Sequence, residues 1–309
     1  MASGAGTPPP APLLECVPNV SEGREASVIR RLARAAEDGG AVLADVHSDA
    51  DHHRSVFTII GPGDAVERSV LALALAAVAL VDLTKHRGVH PRIGAVDVIP
   101  FVPLRGASMR DAVAAAHRVG RRLAAEANLP VFFYGEAAVQ PGRRELPGLR
   151  VGGFEGLAAR LSAPGGRPDA GPALPHPTAG ATVVGARAPL IAFNAVLDGD
   201  DVAAAQAIAR AIRESSGGLP AVRAMGVRLT SRGLAQVSMN LLDHRRTPPR
   251  MVSERIETEA RRLGRSVREY ELVGCAPADA FAEWPDTLAP VTGLKPSQLL
   301  EPALFATST

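Results

Sequence analysis

LAQVSMNLLD, residues 234–243, alternates polar and apolar side chains from Gln236 to Leu241. Successive side chains on a strand point to opposite faces, so Gln236, Ser238 and Asn240 share one face while Val237, Met239 and Leu241 share the other. Such a strand belongs to a sheet with one apolar face packed on helices and one polar face left open. Its partner is close by. AVRAMGVRL (221–229) precedes it, with a tight turn at Ser231-Arg232-Gly233 between them. Outward from this pair, LIAFNAVL (190–197) reads as a strand, 200–215 and 249–263 as helices, and VREYELVG (267–274) as a strand. The order is β-α-β-β-α-β, the split ferredoxin-like motif.

The first half of the chain carries the same order. LLECVPNV reads as a strand ending at Pro18, and SEGREASVIRRLARAAED as a helix with Ser21 as cap. AVLADVHS (41–48) and RSVFTIIG (54–61) are strands joined by a polar turn. Asp64 with Glu67 opens an apolar helix over 64–83, and VIPFVPL (98–104) is the next strand. A helix over 108–127 and the strand VFFYG (131–135) extend the unit. In AVLADVHS, Asp45 and His47 share a face. The expected fold class is therefore α+β, with two ferredoxin-like subdomains. Polar stripes in both halves either border one cleft or face solvent, and pattern alone leaves both open. The boundaries expected are a disordered N-terminus at 1–12, a first subdomain at 13–160, a Pro/Gly-rich linker at 161–181 and a second subdomain at 182–309. SAPGGRPDAGPALPHPTAG (162–180) is too dense in Pro and Gly for a helix or inner strand.

Composition excludes several classes. Over 309 residues the formal net charge is +2, too small for a chain built to coat nucleic acid. The basic residues are almost all Arg, with Lys only at Lys85 and Lys295, so the Arg count is coding bias rather than a sign of anion binding. Two cysteines, Cys16 and Cys275, lie far apart without C-x-x-C spacing, so a reducing compartment is expected, and the Pro-rich start does not read as a signal peptide. The most apolar stretch, Val70 to Val81, is too short to span a bilayer, which needs roughly 20 residues. A cytoplasmic protein with no membrane and no nucleic-acid partner is the expectation. No Walker or dinucleotide-type glycine fingerprint and no G-x-S-x-G elbow is present.

Of eight histidines, five fall between His47 and His90. His47, Asp49, Asp51, His52 and His53 have residue types that suit a divalent metal, but side chains on a turn diverge and no fixed-geometry ligand motif is there. A polar turn explains them without metal, and no metal is expected. The segment KHRGVHPRIGAVDVIPFVP (85–103) is the stronger candidate. His90 sits beside Pro91, between Gly88 and Gly94, in a rigid loop where an imidazole is held in place for proton transfer. Arg92 suits a carboxylate, and Asp97 follows just ahead of the strand.

ECVPNVSEGR (15–24), RGVHPRIGAVDVIPFVP (87–103), VFFYGEAA (131–138), GATVVGAR (180–187), IAFNAVL (191–197) and LAQVSMNLLD together resemble the formiminotransferase domain, which stands alone in some bacteria and is fused to a cyclodeaminase in animals. The resemblance runs in order from about Leu14 to beyond Gly274. It implies two ferredoxin-like subdomains with a folate cleft between them. It also implies transfer of the formimino group of N-formiminoglutamate to N5 of tetrahydrofolate, which is a co-substrate. The catalytic histidine of G-x-H-P-R falls on His90. The folate-contacting segment falls on Gly171, Pro172, Ala173, Leu174, Pro175, His176, Pro177, Thr178, Ala179 and Gly180. Some relatives carry Asn just before the arginine where this chain has His53 before Arg54. Residue chemistry adds Arg54 and Arg92 for glutamate carboxylates, Gln236 and Asn240 for the pterin edge, and Asp45 and His47 as polar-face candidates. Formyl transfer between glutamate and folate, a non-catalytic folate-binding protein and a metal hydrolase are the alternatives. A homodimer is the assembly considered.

Overall fold

The computed structural model describes residues 11–282 and 284–300, so all but the last two residues of the N-terminus expected at 1–12 lie outside the described residues. The chain runs β1 (Leu13–Cys16), β2 (Asn19–Val20), α1 (Ala26–Glu37), β3 (Val42–Asp49), β4 (Arg54–Pro62), α2 (Gly63–Leu80), β5 (Val96–Pro103), α3 (Met109–Glu126), β6 (Val131–Gly135), α4 (Leu146–Leu149), α5 (Leu157–Ser162) and β7 (Thr182–Ala186). A second unit follows: β8 (Ile191–Leu197), α6 (Val202–Ile212), β9 (Val222–Leu229), β10 (Leu234–Leu241), α7 (Pro249–Arg262), β11 (Val267–Val273) and β12 (Val291–Thr292).

In the first sheet, β1 and β2 lie between β4 and β5, β3 pairs with β4 at the edge, and β7 and β6 extend the other side. In the second sheet the order is β12-β11-β8-β10-β9. Both cores have the strand order of the split βαβ motif, so the α+β architecture of two ferredoxin-like subdomains is the one observed. Helices α1, α2 and α3 pack on one face of the first sheet and α6 and α7 on one face of the second, each over its own buried apolar cluster. The 13–18 strand read from sequence does not end at Pro18. Proline has no N–H for the ladder, so pairing breaks there, yet its carbonyl accepts from Phe57 N and pairing resumes at Asn19.

The subdomain boundary expected at 161–181 is corrected. β7 pairs in parallel with both β5 and β6, so Thr182–Ala186 completes the first sheet and the passage to the second falls between 187 and 191. The Pro/Gly stretch leaves and re-enters the same sheet. Arg143 pins it: its guanidinium donates to the carbonyls of Gly165 and Arg167 and pairs with Asp169 at 2.6 Å, both side chains almost fully buried. Helices α4 and α5 were not expected from sequence. Leu149, Leu157 and Leu161 pack them on Val98, Phe132, Tyr134 and Val183, the face of β5, β7 and β6 opposite α3. These helices cover part of that face, and the rest, with Val98 and Pro100 of β5 and Tyr134 of β6 at its border, stands against the open face of the second sheet.

Candidate functional site

The loop 83–95 carries His90 across the mouth of the space between the sheets. Its course is set by close backbone approaches. A Cβ on Gly88 would meet the His52 carbonyl oxygen at 2.5 Å, and one on Gly94 would meet that of Ala181 at 2.0 Å. Asp97, buried at the start of β5, accepts from the Ile93 N–H at 2.7 Å and pairs with Arg150 at 2.5 Å. The loop ends are held by the Pro/Gly segment: Leu83 N donates to Thr178 O and Ala95 N to Ala179 O.

His90 Nδ1 donates to the Pro91 carbonyl at 2.8 Å, which fixes the tautomer and leaves Nε2 as the acceptor. Arg54 Nη1 donates to that Nε2 at 2.6 Å. Burial, then the positive charges of Arg54 and Arg150, hold the His90 pKa well below the usual histidine range. Burial and Arg150 lower Arg54 to about 10, which leaves it cationic at neutral pH. The ring of His52 lies 5.9 Å from that of His90, and His52 Nε2 meets Gln236 Oε1 of the second sheet at 3.2 Å. His52 Nδ1 and Gln236 Nε2 are buried without partners.

Two chambers meet at Arg54, His90, Arg150 and Asn240. The inner one, about 140 Å³, runs over Glu15, Asn19 and Tyr134 of the first sheet to Arg187 and Cys275. The outer one, about 450 Å³, has apolar walls in Leu146, Pro147, Val151 and Met225, and polar groups in Asn194, Ser238 and Asn240. The wall residues come from both sheets, as the parity of β10 requires. A neutral imidazole whose Nε2 lone pair is held by the Arg54 guanidinium, at the junction of two chambers, suits proton transfer between two bound molecules once that guanidinium moves aside.

The residues match the family model "Formiminotransferase domain, N-terminal subdomain" over 13–187 and the model "Formiminotransferase domain" over 192–287. This chain belongs to the formiminotransferase family. It is 42% identical over 274 residues to "Glutamate formimidoyltransferase" of Streptococcus pyogenes serotype M1, covering 88% of this chain and 92% of the relative. It is 37% identical over 292 residues to the protein of the same name from Thermoplasma acidophilum, covering 94% and 96%. It is 43% identical over 278 residues to "Formimidoyltransferase-cyclodeaminase" of Sus scrofa, covering 88% of this chain and 51% of that longer relative.

On this formiminotransferase fold, the sequence candidates separate. His90, Arg54 and Asn240 are brought together at the junction of the chambers. Gln236 is fully buried against His52 and joins the subdomains without lining either chamber. His47 lies 3.7 Å from Glu271 of the second sheet, and Asp45 is buried beside it; neither lines a chamber. Arg92 is mostly buried, pairs with Glu155 at 2.8 Å and lines neither chamber. None of Gly171 to Gly180 lines either chamber; the segment braces the His90 loop from behind. Its Pro/Gly content does not leave its backbone unpartnered, because His176 and Gly180 also exchange both backbone bonds. Sequence reasoning missed Glu15, Arg150, Arg187 and Asn194. Arg150 lies outside every quoted segment, so only topology reveals it, whereas Arg187 and Asn194 stood in GATVVGAR and IAFNAVL with nothing in the pattern to single them out. Glu15 stood in a quoted segment and was legible as a charge on an otherwise apolar strand. Among the described residues no group of three or more His, Cys, Asp or Glu side chains is placed to hold a metal ion, and no helix is long and apolar enough to cross a membrane.

Proposed function

We propose that this chain is a glutamate formiminotransferase in which His90 moves the proton between two substrates. The reading rests on the His90 geometry: one ring nitrogen is fixed by the Pro91 carbonyl, the other is held by Arg54, and the residue lines both chambers. It is supported by relatives named for that activity at 37–42% identity over most of the chain.

The chemistry requires N5 of tetrahydrofolate to attack the amidine carbon of N-formiminoglutamate. A C–N bond forms, N5 loses a proton, and the glutamate nitrogen must gain one as its C–N bond breaks. His90 Nε2 accepts the first proton. The imidazolium so formed sits beside Arg54 and Arg150, which make it a strong acid, and it hands the proton to the departing nitrogen. In the resting site Arg54 occupies the Nε2 lone pair. A substrate carboxylate drawing the Arg54 guanidinium away would release the base only when the donor is bound. The outer chamber suits a flat ring with a polar edge: apolar walls cover its faces, while Asn194, Ser238 and Asn240 supply donors and acceptors. The inner, smaller and cationic chamber suits the glutamate derivative. Holding both substrates at one junction replaces a bimolecular encounter and contributes more than the proton transfer itself. Folate contact by Gly171 to Gly180 would act on this centre through the carbonyl bonds that hold Leu83 and Ala95.

An assay of N-formiminoglutamate with tetrahydrofolate, run beside N-formylglutamate and 5-formyltetrahydrofolate, tests the reading. Formation of 5-formiminotetrahydrofolate with formyl turnover at background is expected. Turnover of the formyl pair alone would replace it.

A further inference from the structure

Three guanidiniums line the inner chamber: Arg54, Arg150 and Arg187. Arg150 is neutralised by Asp97 at 2.5 Å. Neither Arg54 nor Arg187 has a carboxylate within ion-pair distance among the described residues. Arg54 spends one Nη on His90, and Arg187 Nη1 donates to its neighbour's carbonyl, Ala188 O, at 3.0 Å. The chamber thus presents two uncompensated cations, one beside the base and one at the far end.

Their separation follows from the register. Arg187 follows Ala186, which pairs with Phe101 of β5, itself opposite Cys16 of β1; Arg54 precedes Ser55, which pairs with Val20 of β2. The two positions are six residues apart along the strand direction and three strand spacings across, roughly 20–25 Å at Cα. Two arginines reaching inward from those points leave a gap on the scale of a short dicarboxylate. The alternative role for Arg187 is as counter-ion to Glu15, which is buried in the same chamber at 5% exposure. The two make no ion pair. Burial raises the Glu15 carboxyl to about 7, with Arg187 pulling the other way.

We propose that Arg187 anchors the distal carboxylate of the formimino donor, while Arg54 takes the carboxylate next to the reacting nitrogen. This rests on the activity proposed above and names the group that selects a dicarboxylate donor. The donor then lies with its amidine at His90 and its side chain directed to β7.

The test compares the wild type with Arg187→Gln and Arg187→Lys. Two readouts are used: kcat/KM for N-formiminoglutamate and for N-formiminoglycine, which lacks the distal carboxylate, and calorimetric binding of glutarate. A charge-assisted contact of this kind is worth about 10- to 100-fold in affinity. Arg187→Gln is expected to weaken glutarate by that factor and to collapse the preference for formiminoglutamate over formiminoglycine toward unity, with Arg187→Lys restoring part of both. Wild-type glutarate affinity, or an undiminished donor preference, in a variant that melts like the wild type would overturn the assignment. If Arg187→Gln does not fold, Arg187→Lys carries the same comparison against the wild type. Arg187-dependent glutarate binding without transfer from any formimino donor would leave the anchor standing and remove the activity. Transfer with the preference untouched would do the reverse.

Discussion

His90 is held neutral by its surroundings, and that has a direction in pH. Burial, Arg54 and Arg150 all disfavour the imidazolium, so the base form persists below the ordinary histidine pKa of about 6.5. The acid limb of kcat/KM should therefore lie well below pH 6.5. Arg54→Gln removes one of the cations, so it should move that limb upward while raising the KM for the donor. A limb that stays put in this variant would separate Arg54 from the base. His90→Ala should lower turnover by roughly 100-fold or more, the usual contribution of a general acid–base group, with folate affinity nearly unchanged when measured by fluorescence titration. His90 was legible in sequence because Gly, His, Pro and Arg stand together in one short run. Its partners were not. Arg54 could be named only from its residue type, and Arg150 reaches the site from an irregular segment whose placement depends on Asp97, 53 residues away in sequence.

At the scale of elements, alternation proved the dependable signal. Gln236, Ser238 and Asn240 do share one face of β10, and β3 and β4 pair from Val42–Ile60 to Asp49–Arg54 with one irregularity between Leu43 and Asp45. What alternation cannot give is pairing between distant strands. Thr182–Ala186 is fully buried, with no alternation to assign it to a face, and its position between β5 and β6 arises from parallel pairing across nearly fifty intervening residues. The same segment explains why Pro and Gly crowd 162–180. Gly94 and Gly180 lie where the His90 loop and the start of β7 cross, and Gly180 has φ +69° with its Cβ position 2.1 Å from the Ile93 oxygen. Gly180→Ala thus meets both a backbone clash and a left-handed conformation. It should cost about 1–3 kcal/mol in urea unfolding and lower turnover as well, because the displaced backbone carries Ala95 and the end of the His90 loop. A variant as stable and active as the wild type would show that this crossing does not set the loop.

The two subdomains have separate main cores and meet through polar contacts and one small apolar cluster, in which Cys275 and Leu300 pack on Ile60, Ala44 and Leu104. Asp51 accepts from both the backbone and the hydroxyl of Ser231 at 2.8 and 2.6 Å, His52 meets Gln236, and Arg223 pairs with Glu145 at 2.5 Å. The Asp51–Ser231 and Arg223–Glu145 contacts are exposed, and the His52–Gln236 contact is buried between the two sheets. A ligand filling the junction therefore bridges two independently cored units, and such contacts are the kind that open at low cost. Hydrogen exchange reads this directly. With tetrahydrofolate and glutamate bound together, amide exchange should slow in β8 and β10 of the second unit and in the 83–95 loop of the first. The Leu83 and Ala95 amides, already bonded to Thr178 and Ala179, should slow in step with the loop, since a ligand that stabilises one partner of those bonds stabilises the pair. Protection confined to 171–180 and the loop, with β8 and β10 unchanged, would place the folate behind the loop instead of in the outer chamber. Protection in β8 and β10 alone would detach His90 from the folate altogether. Only slowing on both sides fits the proposed reaction, in which the proton-carrying His90 comes from a loop of the first unit and the ring-binding Asn194 and Asn240 come from the sheet of the second.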